Sequence, residues 1–167
     1  MPVHEHHQHA GAHKHLGVAV ITASDTRTSA DDESGQIIRK ALEGAGHVIS
    51  HYEVVPDSPE RISAVVNERI ARDDVIVING GTGIAARDST IEAVRPLLSK
   101  ELEGFGELFR MLSYQEIGPA AMLSRAIAGV AHGRIVVVLP GSPAACKLAL
   151  EKLLLPELGH MAHLLEL

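Results

Sequence analysis

The sequence predicts an α/β domain built on a mostly parallel sheet, and three observations predict it. Short apolar runs rich in Val and Ile alternate with stretches of helical spacing, the pattern of successive βαβ units. Two of those runs, residues 75–78 and 135–139, are apolar throughout, as suits strands covered on both faces. Four polar turns follow expected strands: at Ser24 and Asp25, at Asp57 and Ser58, from Gly80 to Asp88, and at Gly141 and Ser142. If those strands are parallel, the turns line one rim of the sheet, where open sheets of this kind bind ligands.

Residues 1–15 stand outside that pattern. His4, His6, His7, His9, His13 and His15 fall there with little that is apolar, so the segment buries no face and reads as a mobile, disordered tail. Its imidazoles can bind a transition metal; a merely solvated tail is the simpler reading.

The domain itself spans residues 16–167 and opens with a strand over 16–21. Asp31, Asp32 and Glu33 mark an acidic helix start. Ile37, Ile38, Ala41 and Leu42 keep one helical face until Gly44 and Gly46 stop it. A second strand covers 47–55. Ser58 before Pro59 is an N-cap followed by proline at the first helical position, with Asp57 and Glu60 as the alternative capping box. Ile62, Val65, Val66 and Ile70 supply the apolar face of that helix.

The strand over 75–78 leads through a glycine loop to Ser89 and Glu92, which have capping-box spacing. A helix is therefore expected from about Thr90, ended or bent at Pro96. Leu102, Phe105, Leu108, Phe109 and Leu112 keep helical spacing from Glu101 to about Tyr114. Gly118-Pro119 then breaks it, and a short segment over 120–128 leads to Gly129. After the strand over 135–139, Ser142 and Pro143 repeat the cap-and-proline start. The last helix is expected to run to about Leu155, before Pro156, and to offer an apolar contact face.

Composition narrows the class. The chain of 167 residues fits one domain and is long enough for a real core. It is 46% hydrophobic but only 2% aromatic, so that core must be built from Val, Ile, Leu and Ala. A formal net charge of −6 argues against a nucleic-acid binder. Cys146 is the single cysteine and forms no internal disulfide, which suits a reducing cytoplasm. No apolar run approaches the ~20 residues of a membrane span, and no signal-peptide centre is present.

The glycine loop has two readings. Gly80, Gly81 and Gly83 let the backbone take positive φ and approach a ligand. Free N–H groups there and at the helix start favour a phosphate or another anion, and Asp88 can face the same ligand. Equally, the glycines can serve only a tight turn and Asp88 only the helix dipole. The stretch is neither a P-loop, since no Lys follows its last glycine, nor a G-x-G-x-x-G fingerprint.

Taken together, the turns resemble the MoaB/MogA family of molybdenum-cofactor biosynthesis proteins, of the molybdopterin adenylyltransferase type. The likeness covers nearly all of residues 16–158. It rests on Thr22 to Asp25, Val55 to Asp57, Gly80 to Gly83 with Arg87 and Asp88, Gly104 to Arg110, Glu116 to Gly118, Met122 to Ala126, and Pro140 to Pro143. Each block is modest and the ordered set is specific. Where the family often has Thr-Pro-Glu, this chain has Thr90-Ile91-Glu92.

The resemblance implies a three-layer αβα sandwich assembled as a trimer or a hexamer. It also implies a reaction, in which molybdopterin and ATP give adenylylated molybdopterin and pyrophosphate. Asp57 and Asp88 would be the catalytic acids that hold Mg²⁺ on the ATP phosphates. Gly80, Gly81, Thr82 and Gly83 would cradle the nucleotide, and Ser124, Arg125, Gly141 and Ser142 would line the molybdopterin pocket. Ser24, Asp25 and Glu107 are further candidates; Asp25 and Glu107 read as well as surface charges. A molybdenum-insertion enzyme is an expected partner. Other classes compatible with the same residues are a molybdopterin binder that transfers nothing and an interaction module.

Overall fold

A computed structural model of the protein describes residues 15–167, so the expected tail lies outside the described residues except for His15, whose ring donates to the Gly46 carbonyl. The strands are β1 (Gly17–Ala23), β2 (Val48–Val55), β3 (Val75–Asn79), β4 (Lys100–Glu101), β5 (Ile127–Ala131) and β6 (Arg134–Leu139). They form one sheet in the order β2-β1-β3-β6-β5-β4. The run β2-β1-β3-β6 is parallel throughout, while β5 and β4 are added antiparallel. The helices are α1 (Glu33–Gly44), α2 (Pro59–Ile70), α3 (Thr90–Val94), α4 (Glu103–Ile117), α5 (Pro143–Ala149) and α6 (Leu155–Leu164). Short 3₁₀ turns at Arg95–Leu97 and Gly118–Leu123 and a π-turn at Leu150–Leu154 join some of them.

The period of two along a strand sorts the core into layers. Val18, Val20, Val75, Val77, Ile135 and Val137 face one side, where Ile38, Leu42, Phe109, Leu150 and Leu158 pack on them. Ala19, Ile21, Ile76, Ile78, Val136 and Val138 face the other, under Ile62, Val65, Val66, Ile91 and Val94. Helices therefore cover both faces, and the result is the three-layer sandwich. Phe109 is the largest side chain buried completely; the remaining core is mainly aliphatic.

Local signals explain the helix starts. Asp32 caps α1 by accepting from the Gly35 N–H at 3.0 Å, as the acidic start requires. Ser58 rather than Asp57 caps α2, accepting from the Arg61 N–H at 3.4 Å with Pro59 behind it.

Two expectations need correcting, and a third is narrowed. The last helix does not stop before Pro156. The π-turn at Leu150–Leu154 shifts the hydrogen-bond register, so Pro156 falls in the first turn of α6, where its missing N–H costs nothing. Second, the segment leading to Gly129 contains a strand, β5, paired to β6 on one side and to the two-residue β4 on the other. A Cβ at Gly129 would collide with the Lys100 carbonyl, so glycine is what lets the two strands meet. Third, α6 turns Leu158 and Ala162 into the core, with Leu155 and Met161 packed against it. α6 leaves Leu164 exposed, and a larger group of exposed apolar side chains lies on α4 and the turn after it: Leu108, Met111, Tyr114, Ile117, Met122 and Leu123.

The direction of β5 matters for the site. Because it runs antiparallel to β6, its beginning lies at the same sheet edge as the ends of β1, β2, β3 and β6. Ser124 and Arg125 thus join the rim although they precede a strand. Among the described residues no helix is long and apolar enough to cross a membrane.

Candidate functional site

The rim is organised by the end of β3. The Asn79 side-chain amide donates to Thr22 Oγ1 at 2.8 Å and to the Ile21 carbonyl at 3.3 Å, tying β3 to β1. Gly80 and Gly81 follow at φ 90° and 63°. A Cβ at Gly80 would collide with the Ala23 carbonyl, and one at Gly81 with Thr90 Oγ1 and the Asp57 carboxylate. From β6, Gly141 approaches so closely that its Cβ would lie 3.2 Å from Gly80 Cα. The glycines are thus demanded by crowding at the strand ends. The Gly80 N–H is bonded to the Leu139 carbonyl at 3.1 Å. Those of Gly81, Thr82 and Gly83 have no acceptor among the described residues.

Beside this loop lies a cleft of about 130 Å³ lined by Ser24, Asp25, Asp57, Arg87 and Asp88. Ser24 Oγ accepts from the Arg27 N–H at 3.1 Å and so shapes the first turn. Asp25 accepts from the Asp57 N–H at 2.9 Å. Asp88 Oδ2 accepts from the Ala85 N–H at 2.9 Å and closes the loop on itself. Burial pushes the Asp57 carboxyl above the usual carboxylate range, and the charges of Asp25 and Asp88 add to the effect; the Ser89 N–H and Arg87 oppose it. Asp57 Oδ1, Ser89 Oγ and Thr90 Oγ1 are buried without a hydrogen-bond partner among the described residues.

That arrangement fits a hard divalent cation. Its donors are carboxylate oxygens, one of them orphaned, and their mutual repulsion is what a cation relieves. Among the described residues no group of three or more His, Cys, Asp or Glu side chains can hold a metal by itself. The remaining ligands would have to come from phosphate and water, the usual habit of Mg²⁺.

A second pocket, of about 420 Å³, shares no lining residue with the first. Glu103, Gly106, Glu107 and Arg110 of α4 form one wall, and Ser124 with Arg125 the opposite one. Arg125 ties this pocket to the loop. Its Nε donates to the Thr82 carbonyl at 3.0 Å, its Nη2 to the Gly83 carbonyl at 2.6 Å, and its Nη1 to Glu92. That bond holds the Glu92 carboxyl below its ordinary range. It also overturns the expected capping box, since Glu92 is drawn to Arg125 and Ser89 makes no side-chain cap bond.

Residues 19–160 match the family model described as a probable molybdopterin binding domain. The chain belongs to the MoaB/MogA family. It is similar to molybdenum cofactor biosynthesis protein B of Bacillus anthracis, 51% identical over 164 residues that cover 96% of each chain. A crystal structure of a molybdenum cofactor biosynthesis protein B superposes with a TM-score of 0.90 at 51% identity, covering 93% of this chain and 98% of that one. The tungsten cofactor synthesizing protein MoaB from Pyrococcus furiosus does so with a TM-score of 0.82 at 41% identity, covering 92% and 99%.

Within this MoaB/MogA chain the expected residues fall into three places. Ser24, Asp25, Asp57 and Asp88 share the acid cleft. Glu107, Ser124 and Arg125 share the larger pocket. Gly141 and Ser142 line neither: Gly141 packs on Gly80, its carbonyl accepts from Ser34 Oγ at 2.7 Å, and Ser142 Oγ caps α5 by accepting from the Ala145 N–H at 3.2 Å. Two residues were not foreseen as site residues. Arg87 lines the acid cleft, and Arg110 lines the larger pocket. For Arg110 the signal was the spacing Glu103, Gly106, Glu107, Arg110, which is one helical face.

Proposed function

We propose that the protein adenylylates molybdopterin with ATP and Mg²⁺. Membership of the MoaB/MogA family makes it a molybdenum-cofactor biosynthesis protein. The observation that carries the finer reading is a loop with three uncommitted N–H groups, whose Arg87 and Asp88 line an acidic cleft and whose carbonyls are held by Arg125 of a larger pocket. An acid cleft suits a metal-bound polyphosphate, and the larger pocket suits an organic acceptor.

In the reaction an oxygen of the molybdopterin phosphate bonds to the α-phosphorus of ATP, and the bond to the β-phosphate bridge breaks. Pyrophosphate leaves. The attacking oxygen is already ionised, so no strong base is needed. The difficulty is that two polyanions must meet in line, which positioning and charge neutralisation resolve. The N–H groups of Gly81, Thr82 and Gly83 would receive phosphate oxygens. Asp57 and Asp88 would hold Mg²⁺, which when bound neutralises phosphate charge. Arg87 lines the same cleft and brings a permanent positive charge to it. Arg125 holds Thr82 and Gly83 through their carbonyls, and would so fix where the two substrates meet.

The test is incubation of purified protein with molybdopterin, ATP and Mg²⁺. Adenylylated product should form, and pyrophosphate should appear only when molybdopterin is present. Molybdopterin binding without pyrophosphate release would make the protein a silent binder.

A further inference from the structure

Three guanidinium groups line the larger pocket, and two of them are committed. Arg95 grips Glu101 through Nε at 2.9 Å and Nη2 at 3.0 Å. Arg125 is bonded to Glu92 and to the loop carbonyls. Arg110 is only partly exposed, yet makes no hydrogen bond or ion pair with any described residue. Glu107, one turn earlier on the same face of α4, is equally uncommitted. Across from them Ser124 Oγ is buried without a partner.

Gly106 keeps the space between these groups open. A Cβ there would lie 2.9 Å from both the Ala126 carbonyl and Arg110 Nη1. Glycine therefore lets α4 approach the start of β5 and leaves the Arg110 guanidinium room beside the helix.

An acid and a guanidinium placed side by side make an acceptor pair next to a donor fork. This pattern does not suit a simple anion, which Glu107 would repel. It suits the edge of a heterocycle that carries N–H donors and a carbonyl together. A 2-amino-4-oxo pteridine has such an edge. Its ring N3–H and 2-amino group can donate to one carboxylate, while its O4 accepts from a guanidinium. Adenine does not, because a ring lone pair sits beside its amino group where the carboxylate would need a hydrogen.

We propose that Glu107 and Arg110 read the pterin ring of the acceptor substrate, with Glu107 accepting from N3–H and the 2-amino group and Arg110 donating to O4. The inference rests on the molybdopterin reading above and adds the residues that choose the ring. It puts the ring in the pocket that α4 and Arg125 line, apart from the acid cleft.

The probes are 6-hydroxymethylpterin and its 2,4-dioxo analogue 6-hydroxymethyllumazine, titrated by fluorescence. The wild-type protein should prefer the pterin by about tenfold or more, the discrimination a paired donor–acceptor contact supports. Glu107→Gln should reverse the preference, because an amide can donate to the 2-oxo group and still accept from N3–H. Arg110→Met should weaken both probes about tenfold and leave their ratio unchanged. Melting temperature and Mg²⁺-ATP affinity, read on the same variants, should stay near wild type. An unaltered probe preference in Glu107→Gln overturns the assignment of Glu107. If both variants keep wild-type pterin affinity, the ring binds elsewhere, while adenylylation of molybdopterin by the wild type would leave the broader reading standing. Wild-type protein that binds neither probe and forms no adenylylated product overturns both.

Discussion

The backbone N–H of Asp57 donates to the carboxylate of Asp25 at 2.9 Å, so two acids of the cleft are held side by side. Burial, with the charge of Asp25 added to it, raises the Asp57 pKa above that of the unfolded chain. A raised carboxyl pKa means the folded state binds the proton more tightly. Below the unfolded value near 3.9 both states are protonated and nothing is lost. As pH rises through the higher folded value, the native state is charged at a cost. Asp57→Asn removes that cost. The variant should melt higher than wild type at pH 7, with the difference closing towards pH 3, while adenylylation falls about 10²–10³-fold for want of a metal ligand. Melting curves across pH and a turnover assay check both halves.

Asp88→Asn separates charge from shape. The carboxylate accepts from the Ala85 N–H, and the amide oxygen of Asn can take over that bond. Folding should therefore be preserved, with a melting temperature near wild type. Turnover should drop about 10²–10³-fold, with molybdopterin binding nearly unchanged. Near-normal adenylylation would reduce Asp88 to a loop-closing residue.

Arg125→Lys tests the clamp. A lysine ammonium cannot reproduce a fork that meets the Thr82 carbonyl, the Gly83 carbonyl and Glu92 together. The loss should be about 1–2 kcal/mol, a fall of roughly 2–8 °C in melting temperature. Nucleotide affinity should fall with it, because the loop would lose its fixed position. A variant that melts lower yet binds Mg²⁺-ATP normally would show that the loop holds its shape unaided.

The apolar side chains left exposed along α4 and the following turn are where a trimeric or hexameric assembly should make its contact. Leu108, Met111, Tyr114 and Ile117 recur at helical spacing, and Met122 and Leu123 extend the patch. Light scattering should give a multiple of three chains. Met111→Glu with Tyr114→Glu should shift the mass towards one chain. An unchanged mass would move the interface elsewhere.

How much of this was legible beforehand depended on whether the signal was local. Val75 to Ile78 announced a doubly covered strand because every position was apolar, and the Ser58-Pro59 and Ser142-Pro143 starts announced helices because a cap acts within one turn. The convergence of Asp25, Asp57 and Asp88 followed once the strands were read as parallel. β5 escaped notice because Ile-Ala-Gly-Val-Ala has little β preference, and its pairing depends on β6 and β4. With β5 hidden, nothing local showed that Arg125 would reach the loop. The Ser89–Glu92 pattern misled for the same reason: a cation 33 positions away outcompeted the local cap. Arg110 had a place in a matching block but no role, because its lack of a partner among the described residues is a property of the folded chain alone.

The place of β6 in the sheet has a consequence for the newborn chain. It is the last strand to be synthesised, yet it stands between β3 and β5. While residues 134–139 are still inside the ribosome, β3 carries a bare edge whose first four side chains are all apolar. The earlier βαβ units can begin to form, but the sheet is sealed only near the end of translation. A message cut short before Leu139 would therefore release a sticky fragment, and the cell's chaperones would meet this protein chiefly at that exposed edge of β3.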